Sequence, residues 1–222
     1  MDSPLMTRCY CEAPCSAARH SSPRAYLDAA AQRRADLATA QGDVDRYLAV
    51  FPWCQRVAAY WEIVSQLRVP DRVRCLRDLW DVDARPSSRL RAWRRELSLC
   101  SQNPATFMSA SEHKLRLELT KPLTIFRGVA SSEQTPTGFA WSLDRDFADF
   151  VAYSACRGRD TSGHVFAAVC NPDDAIAYLI DAEGRDDVAI FPECLVSWGQ
   201  IPTRQIVETV EPSGAVWWTV AK

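Results

Sequence analysis

Gly138-Phe-Ala-Trp-Ser-Leu-Asp-Arg-Asp-Phe-Ala-Asp-Phe-Val-Ala-Tyr153 predicts a short strand that runs directly into an amphipathic helix. We predict the strand at Phe139–Leu143 and the helix from about Asp144 to Ala155, with Asp144 as its N-cap. Three apolar residues of the helix can turn inward: Phe147, Phe150 and Val151.

Alternating or continuous apolar runs predict further strands on both sides of this corner. They are Leu115–Leu119, Leu123–Arg127, His164–Cys170, Ala175–Ile180, Asp187–Phe191, Gln205–Val210 and Ala215–Ala221. One helix interrupts them and the links are mostly of turn length, which indicates an antiparallel or mixed sheet. No glycine-rich loop follows a strand, so neither a Rossmann fingerprint nor a P-loop is present.

The N-terminal half is predicted to be helical, because apolar residues from Ser22 to about Ser111 recur at spacings of three and four. Pro23 opens a first helix, and a second begins after Gly42 and is kinked or divided at Pro52. Further segments contain Val73–Trp80 and Leu90–Leu99, and Pro104 opens a short fifth. We therefore predict a flexible N-terminus (1–21), a helical region (22–112) and a β-rich domain (113–222).

Composition places the chain among soluble globular proteins. It has 222 residues, of which 47% are hydrophobic and 24% charged. No run approaches the roughly 20 apolar residues that span a bilayer, and the N-terminus lacks the apolar run of a secretory signal. We expect a cytoplasmic protein that does not enter membranes.

The cysteines predict a reducing compartment. There are nine, an odd number, and most lie singly within apolar patterns, where a free thiol behaves as a small hydrophobe. The exception is a cluster near the N-terminus: Cys9, Cys11, Cys15 and His20. These side chains could hold zinc, but their spacing matches no standard zinc knuckle, so a metal-free flexible terminus is favoured.

Charge is unevenly distributed. The net charge is −2, with a balance of +3 over residues 1–112 and −5 over residues 113–222. The segment Arg68–Arg95 contains nine arginines and four aspartates. Such a segment could contact phosphate backbones, but a solvated helix face with ion pairs is favoured.

Arg127 ends the apolar run Leu123-Thr-Ile-Phe and is followed by Gly128. A guanidinium at a strand end can make bidentate contacts to a phosphate or a ribose. A glycine beside it lets a ligand approach the backbone. The pair is a candidate binding element, although an arginine that closes a strand is usually an ordinary surface charge.

An acidic pair, Asp186 and Asp187, opens a later strand. Alternation places Val188 and Ile190 on one face, as core residues, and Asp187 on the other. Asp187 is therefore the carboxylate predicted to face a cleft, and Asp186 the structural or exposed one.

Taken in order, three segments resemble the ADP-ribosyltransferase superfamily, in the branch whose signature is an arginine, then Ser-Thr-Ser, then glutamate. They are Phe126-Arg127-Gly128, Trp141-Ser142-Leu143-Asp144 and Asp187-Val-Ala-Ile-Phe-Pro192. The resemblance covers about residues 120–195. It implies an α+β fold, in which a helical N-terminal region precedes a mostly antiparallel split β-sandwich of ADP-ribosyltransferase type, with residues 113–222 as the catalytic domain.

The resemblance also implies an activity, that of an NAD-dependent mono-ADP-ribosyltransferase of toxin, effector or defence type. Such an enzyme moves ADP-ribose from NAD to a macromolecular acceptor and releases nicotinamide. Asp187 would be the catalytic carboxylate, and Arg185 would take part in acceptor recognition and disfavour an arginine acceptor. NAD would be held by Arg127, Gly128, Trp141, Ser142 and Tyr178. The acceptor would be a nucleic acid or a protein, and an inhibitor or antitoxin partner would fit such a role.

The chain departs from the family signature at three positions. Ala140 stands where the first serine of the triplet would be, Asp187 replaces the glutamate, and Arg185 lies two residues before the acid, where arginine-modifying members have glutamate or glutamine. The first two departures favour a catalytically degenerate module of the same fold that only binds. A second alternative is an NAD glycohydrolase, which would use the same site with water as the acceptor.

Overall fold

The computed structural model describes residues 36, 43–49, 51, 53–80, 90–130, 132–156, 162–180, 186–210 and 216–220. The chain divides into two compact units, residues 1–83 and 84–222. The predicted helix around Tyr26, the predicted flexible N-terminus, the candidate zinc ligands and Arg185 lie outside the described residues.

The first unit contains three described helices, α1 (Val44–Ala49), α2 (Trp53–Ile63) and α3 (Val69–Trp80). Its buried side chains include Tyr47, Val73, Leu76 and Leu79, which the sequence placed at helical spacing, and also Tyr60 and Ile63 of α2. Helix α1 ends at Ala49 and α2 begins at Trp53, so the helix is divided in the interval where the sequence predicted it. Exposed ion pairs lie on α3, where Asp71 pairs with Arg68 at 3.0 Å and with Arg74 at 3.5 Å. The described part of the arginine-rich segment thus carries the ion pairs that the sequence favoured.

The second unit begins with three helices, α4 (Leu90–Gln102), α5 (Pro104–Phe107) and α6 (Ala110–Glu118). They bury Trp93, Leu97 and Phe107 and pack on strand β4 (Ala175–Ile180). The division between the units therefore lies within the region predicted as one helical segment, because these three helices belong with the sheet.

A six-stranded antiparallel sheet forms the centre of the second unit, so the protein is α+β as predicted. Its strands lie in the order β4-β5-β2-β1-β3-β6. Besides β4 they are β1 (Leu123–Ala130), β2 (Ala140–Ser142), β3 (Gly163–Cys170), β5 (Asp186–Ile190) and β6 (Leu195–Ile201). Helix α7 (Arg145–Cys156) follows β2, and β7 (Ile206–Val210) pairs with β8 (Val216–Val220).

Strand β6 was missed by the sequence analysis. It is an edge strand, and its central residues, from Val196 to Gln200, are exposed on both faces. Alternation arises when one face of a strand is buried, so an exposed edge strand lacks that signal.

The predicted strand at Leu115–Leu119 is wrong, because these residues form the last turns of α6 and its C-cap. Ser109 and Glu112 make a capping box: the Ser109 hydroxyl accepts from the Glu112 amide at 3.2 Å, and the Glu112 carboxylate accepts from the Ser109 amide at 2.7 Å. Leu117 is 70% exposed, so the alternating leucines do not mark one buried face. The Ser-x-x-Glu motif from Ser109 to Glu112 marks the start of a helix, and it is a better guide here than the alternating leucines.

We expect Ser109→Ala to lower the free energy of unfolding by about 1 kcal/mol, the usual effect of losing an N-cap. Urea denaturation measures this change. Ser101→Ala, the same substitution at an exposed position of α4 whose hydroxyl bonds to the Ser98 carbonyl and not to Ser109, is the matched control and should be close to neutral. Equal effects of the two substitutions would contradict a capping role for Ser109.

The central sheet has two distinct faces. On the face that we call the α7 face, Ala148 and Ala152 of helix α7 pack with Val165 and Phe126. The opposite face forms the larger core, whose members include Ile125, Val129, Trp141, Phe166, Tyr178, Val188 and Ile190. Any side chain of the sheet can therefore be assigned to a face from its register.

The described cysteines include five free thiols: Cys75, Cys100, Cys156, Cys170 and Cys194. Burial raises the pKa of Cys75 to about 12 and that of Cys170 to about 11, so both remain protonated near neutral pH. Within the described residues, no group of acidic, histidine and cysteine side chains is arranged to hold a metal ion. No helix in the same part of the chain is long and apolar enough to cross a bilayer.

Candidate functional site

The three motif segments of the sequence lie on neighbouring strands, in the order β5-β2-β1. Ser142 of β2 is paired with Phe126 of β1 on one side and with Asp187 of β5 on the other. Residues that are distant along the chain, 126 and 187, are thus separated by only one strand in space.

The register assigns the predicted site residues to two faces. Directly paired residues share a face, so Phe126, Ser142 and Asp187 lie on the α7 face. Neighbours along a strand alternate, so Arg127 and Trp141 lie on the opposite face. The sheet therefore brings Ser142 and Asp187 together, whereas the side chains of Arg127 and Asp187 leave it on opposite faces.

The predicted orientation of β5 is confirmed in one respect. Val188 and Ile190 are fully buried in the core of the opposite face, as alternation predicted. Ala189 is also fully buried, so the α7 face is covered at this strand too. Asp186 and Asp187 are both half-buried, and Asp186 lies on the same face as Arg127.

Arg127 does not end its strand, as the sequence predicted, because β1 continues to Ala130. Its side chain is 9% exposed and is enclosed by the segment that joins β1 to β2. Its Nη1 donates to the Ala140 carbonyl at 2.9 Å, and its Nε lies 3.5 Å from Oε1 of Glu133. Gly138 lies against the guanidinium, since a Cβ built on that residue would be 2.1 Å from the Arg127 Cζ. The arginine predicted to bind a phosphate is thus paired with a carboxylate from its own chain.

Ser142 is a brace at the strand-to-helix corner. Its hydroxyl donates to the Asp186 carbonyl at 3.2 Å and accepts from the Asp144 amide at 3.1 Å. Asp144 in turn accepts from the Asp146 amide at 2.8 Å, as predicted for a residue that caps α7. These bonds hold the start of β5 against the start of the helix, and they place Ser142 beside the acidic pair.

Trp141 and Tyr178 are core side chains. They lie in one row across the sheet, each paired with Val188, and each is 1% exposed. Burial raises the pKa of the Tyr178 phenol above its ordinary value. In this structure neither ring presents a surface on which a ligand could stack.

Gly128 is a packing residue. It lies on the α7 face, and a Cβ at this position would be 2.0 Å from the Ala148 carbonyl oxygen and 2.6 Å from the Ala152 amide nitrogen. The absent side chain lets helix α7 approach β1 closely. The structure thus gives Gly128 a use that is independent of any ligand.

Three acidic residues at or near this region were not singled out from the sequence. Besides Glu133, Glu112 accepts from the Ile180 amide at 2.5 Å, and so fixes the end of β4 just before the segment that leads to Asp187. Asp149 of α7 is fully buried and accepts from the Arg204 amide at 2.9 Å. The capping box could have identified Glu112, whereas the partners of Glu133 and Asp149 depend on tertiary packing.

The first unit contains a separate cavity of about 500 Å³. Its charged lining residues are Asp45, Arg56, Arg77 and Asp78, two of each sign. Desolvation by burial raises the pKa of Asp78 above its ordinary value. The balanced charge gives this cavity no preference for an anionic or a cationic ligand, and none of the motif residues lines it.

Comparison with protein-family models, with curated proteins and with solved structures finds no significant match to this chain. The functional argument therefore rests on the residues and on their arrangement.

Proposed function

We propose that the second unit is an NAD-dependent mono-ADP-ribosyltransferase with a split β-sandwich of ADP-ribosyltransferase type. It would transfer ADP-ribose from NAD to a macromolecular acceptor other than arginine and release nicotinamide. The observation that carries the proposal is the adjacency of β5, β2 and β1, which gathers the three motif segments, with Ser142 paired to both neighbouring strands. Chance similarity of three short segments does not require that they become neighbours in the sheet.

The proposed chemistry breaks the bond between C1′ of the nicotinamide ribose and the nicotinamide nitrogen. The nitrogen keeps the electron pair, and positive charge develops on the ribose as in other glycosidic cleavages. A carboxylate beside the ribose stabilises this charge more in the transition state than in the ground state. We assign that role to Asp187. The acceptor nucleophile then bonds to C1′ and loses its proton to solvent.

Arg127 is assigned to the other half of the substrate. The family resemblance gives it the pyrophosphate or the adenosine ribose. Its side chain leaves the sheet on the face opposite Asp187, so it does not adjoin the reacting carbon. Ser142 supports the corner that carries the acidic pair. Gly128, Trp141 and Tyr178, which the family resemblance also assigns to NAD, would contribute mainly by packing, since the structure buries them or places a helix against them.

The wider role follows from the same proposal. An enzyme of this type would act in the cytoplasm on a protein or a nucleic acid, as a toxin, effector or defence protein, and an inhibitor or antitoxin would be its natural regulator. Arg185, in the segment before the acidic pair, would repel an arginine acceptor and attract an anionic one.

The direct test incubates the full chain with a cell extract and NAD labelled in its adenylate phosphate, and measures nicotinamide release and the label in separated protein, RNA and DNA. We expect stoichiometric nicotinamide release and label in one macromolecular fraction. Label found only in free ADP-ribose would instead support a glycohydrolase. A complete lack of nicotinamide release, with several extracts and ionic strengths, would refute the enzymatic proposal.

A binding module without catalysis is the second candidate. It is favoured by one observation in particular, the pairing of Arg127 with Glu133 and with the Ala140 carbonyl, which gives the arginine a structural use. Ala140 also lacks the hydroxyl of the family serine. This candidate predicts that the chain binds a macromolecule from the extract while NAD is recovered intact.

A further inference from the structure

The segment that joins β1 to β2 closes over Arg127, and we call residues 132–139 the strap. Its first turn is tied to β1, because the Glu133 amide donates to the Ala130 carbonyl at 3.0 Å. At its other end Gly138 and Phe139 are buried, and Gly138 is so close to the guanidinium that a Cβ at this position would overlap it. The strap and Arg127 are therefore packed directly on one another.

Glu133 is the centre of this arrangement. Its Oε1 lies 3.5 Å from the Arg127 Nε and accepts hydrogen bonds from the Thr137 amide at 3.2 Å and the Thr137 hydroxyl at 3.3 Å. One carboxylate oxygen thus links the cation to both ends of the strap. A phosphate oxygen has the same charge and the same preference for a guanidinium partner.

We propose that Glu133 is an internal competitor for Arg127, and that the strap must lift from the guanidinium before a phosphate can pair with it. The proposal rests on the proposed function only where it names the pyrophosphate of NAD as the anion in the cell. The burial of Arg127 and the partial burial of Glu133 make the competition effective. The Arg127 side chain is 9% exposed and that of Glu133 is 25% exposed, so water screens the pair only in part.

The burial of the Arg127 guanidinium also explains why the strap has to move. The guanidinium is covered by Gly138, and Cβ at that position would already overlap it. An anion therefore has no room between strap and arginine while the strap is closed. Glu133 is the one charged residue between Ser132 and Phe139. Neutralising its carboxylate should therefore favour the open form.

The test compares the full chain with Glu133→Gln, which keeps the shape and removes the charge. Inorganic pyrophosphate is the probe, and its affinity is measured by titration calorimetry at fixed ionic strength. We expect Glu133→Gln to bind pyrophosphate about fivefold more tightly, since a competing ion pair of moderate strength is removed. Hydrogen exchange of the backbone amides of residues 132–139 should be faster in the variant.

Glu118→Gln is the matched control. It changes the net charge by the same amount at a side chain that is 62% exposed and pairs only weakly with Lys114, at 3.7 Å. It should leave both the pyrophosphate affinity and the exchange of the strap unchanged. Adding Arg127→Gln to Glu133→Gln should remove the gain in affinity, with an unfolding curve to check that the double variant is folded.

Each result decides the proposal. Equal affinities of the wild type and Glu133→Gln, unchanged exchange of the strap, or no pyrophosphate binding by either protein would overturn it. Nicotinamide release by the wild-type chain is measured separately and decides the proposed function. If the wild-type chain releases nicotinamide and Glu133→Gln behaves like the wild type, the proposed function stands and the proposal about the strap is wrong.

Discussion

Asp187→Asn should lower the rate of nicotinamide release by at least about 100-fold, because it removes the negative charge that stabilises the developing positive charge of the ribose. The amide has the shape of the carboxylate, so packing on β5 is preserved. The rate is measured with labelled NAD under single-turnover conditions, which isolates the bond-breaking step. Urea unfolding of the variant confirms that the loss is chemical and not structural.

Asp186→Asn is the matched control for this prediction. It makes the same change one residue earlier on the same strand, and the register turns its side chain to the other face of the sheet. We expect it to retain the rate to within about threefold. If Asp186→Asn is the inactive variant and Asp187→Asn the active one, the catalytic carboxylate lies on the face of Arg127 and our assignment is wrong.

Gly128→Ala should lower the free energy of unfolding by about 3 kcal/mol, at the upper end of what overpacking costs. The new Cβ would meet the backbone of Ala148 and Ala152 at 2.0 and 2.6 Å. Backbone atoms of a helix cannot rotate away as a side chain end can, so α7 must shift as a whole. Urea denaturation at unchanged m-value measures the loss.

Gly199→Ala is the control for Gly128→Ala. Gly199 also lies in a strand of the sheet, but a Cβ there would meet nothing within 4 Å. We expect a change within about 0.5 kcal/mol, since only the conformational freedom of glycine is altered. Similar losses for the two variants would show that close approach of α7 is not the reason for the glycine at 128.

The strands and helices that the sequence predicted correctly are those whose pattern is local. β4 was predicted with its observed ends, and α7 to within a residue or two. The residue pattern of a buried strand or an amphipathic helix reflects which of its own side chains are buried. The two wrong assignments occurred where the local residue pattern does not reflect burial. The leucines from 115 to 119 alternate although α6 exposes Leu117, and β6 is held by pairing with β3 and not by its own burial.

The candidate site shows the same division. The sequence singled out Arg127, Ser142 and Asp187 as candidates, and it oriented Val188 and Ile190 correctly, because alternation along one strand is a local property. It could not show that Arg127 and Asp187 lie on opposite faces, since a face is fixed only when the register across β1, β2 and β5 is known. It also gave no sign of Glu133, whose partner depends on how the strap folds back.

The amino-acid pattern was enough to predict an α+β chain with helices first and the positions of most strands. The helices that join the sheet, the order of the strands and the face of each candidate residue became visible only in the folded chain. Periodicity reports the burial of one element, whereas strand order and register are set by contacts between elements. The pairing of Arg127 with Glu133 is set by such a contact, because it forms only when the strap folds back over β1.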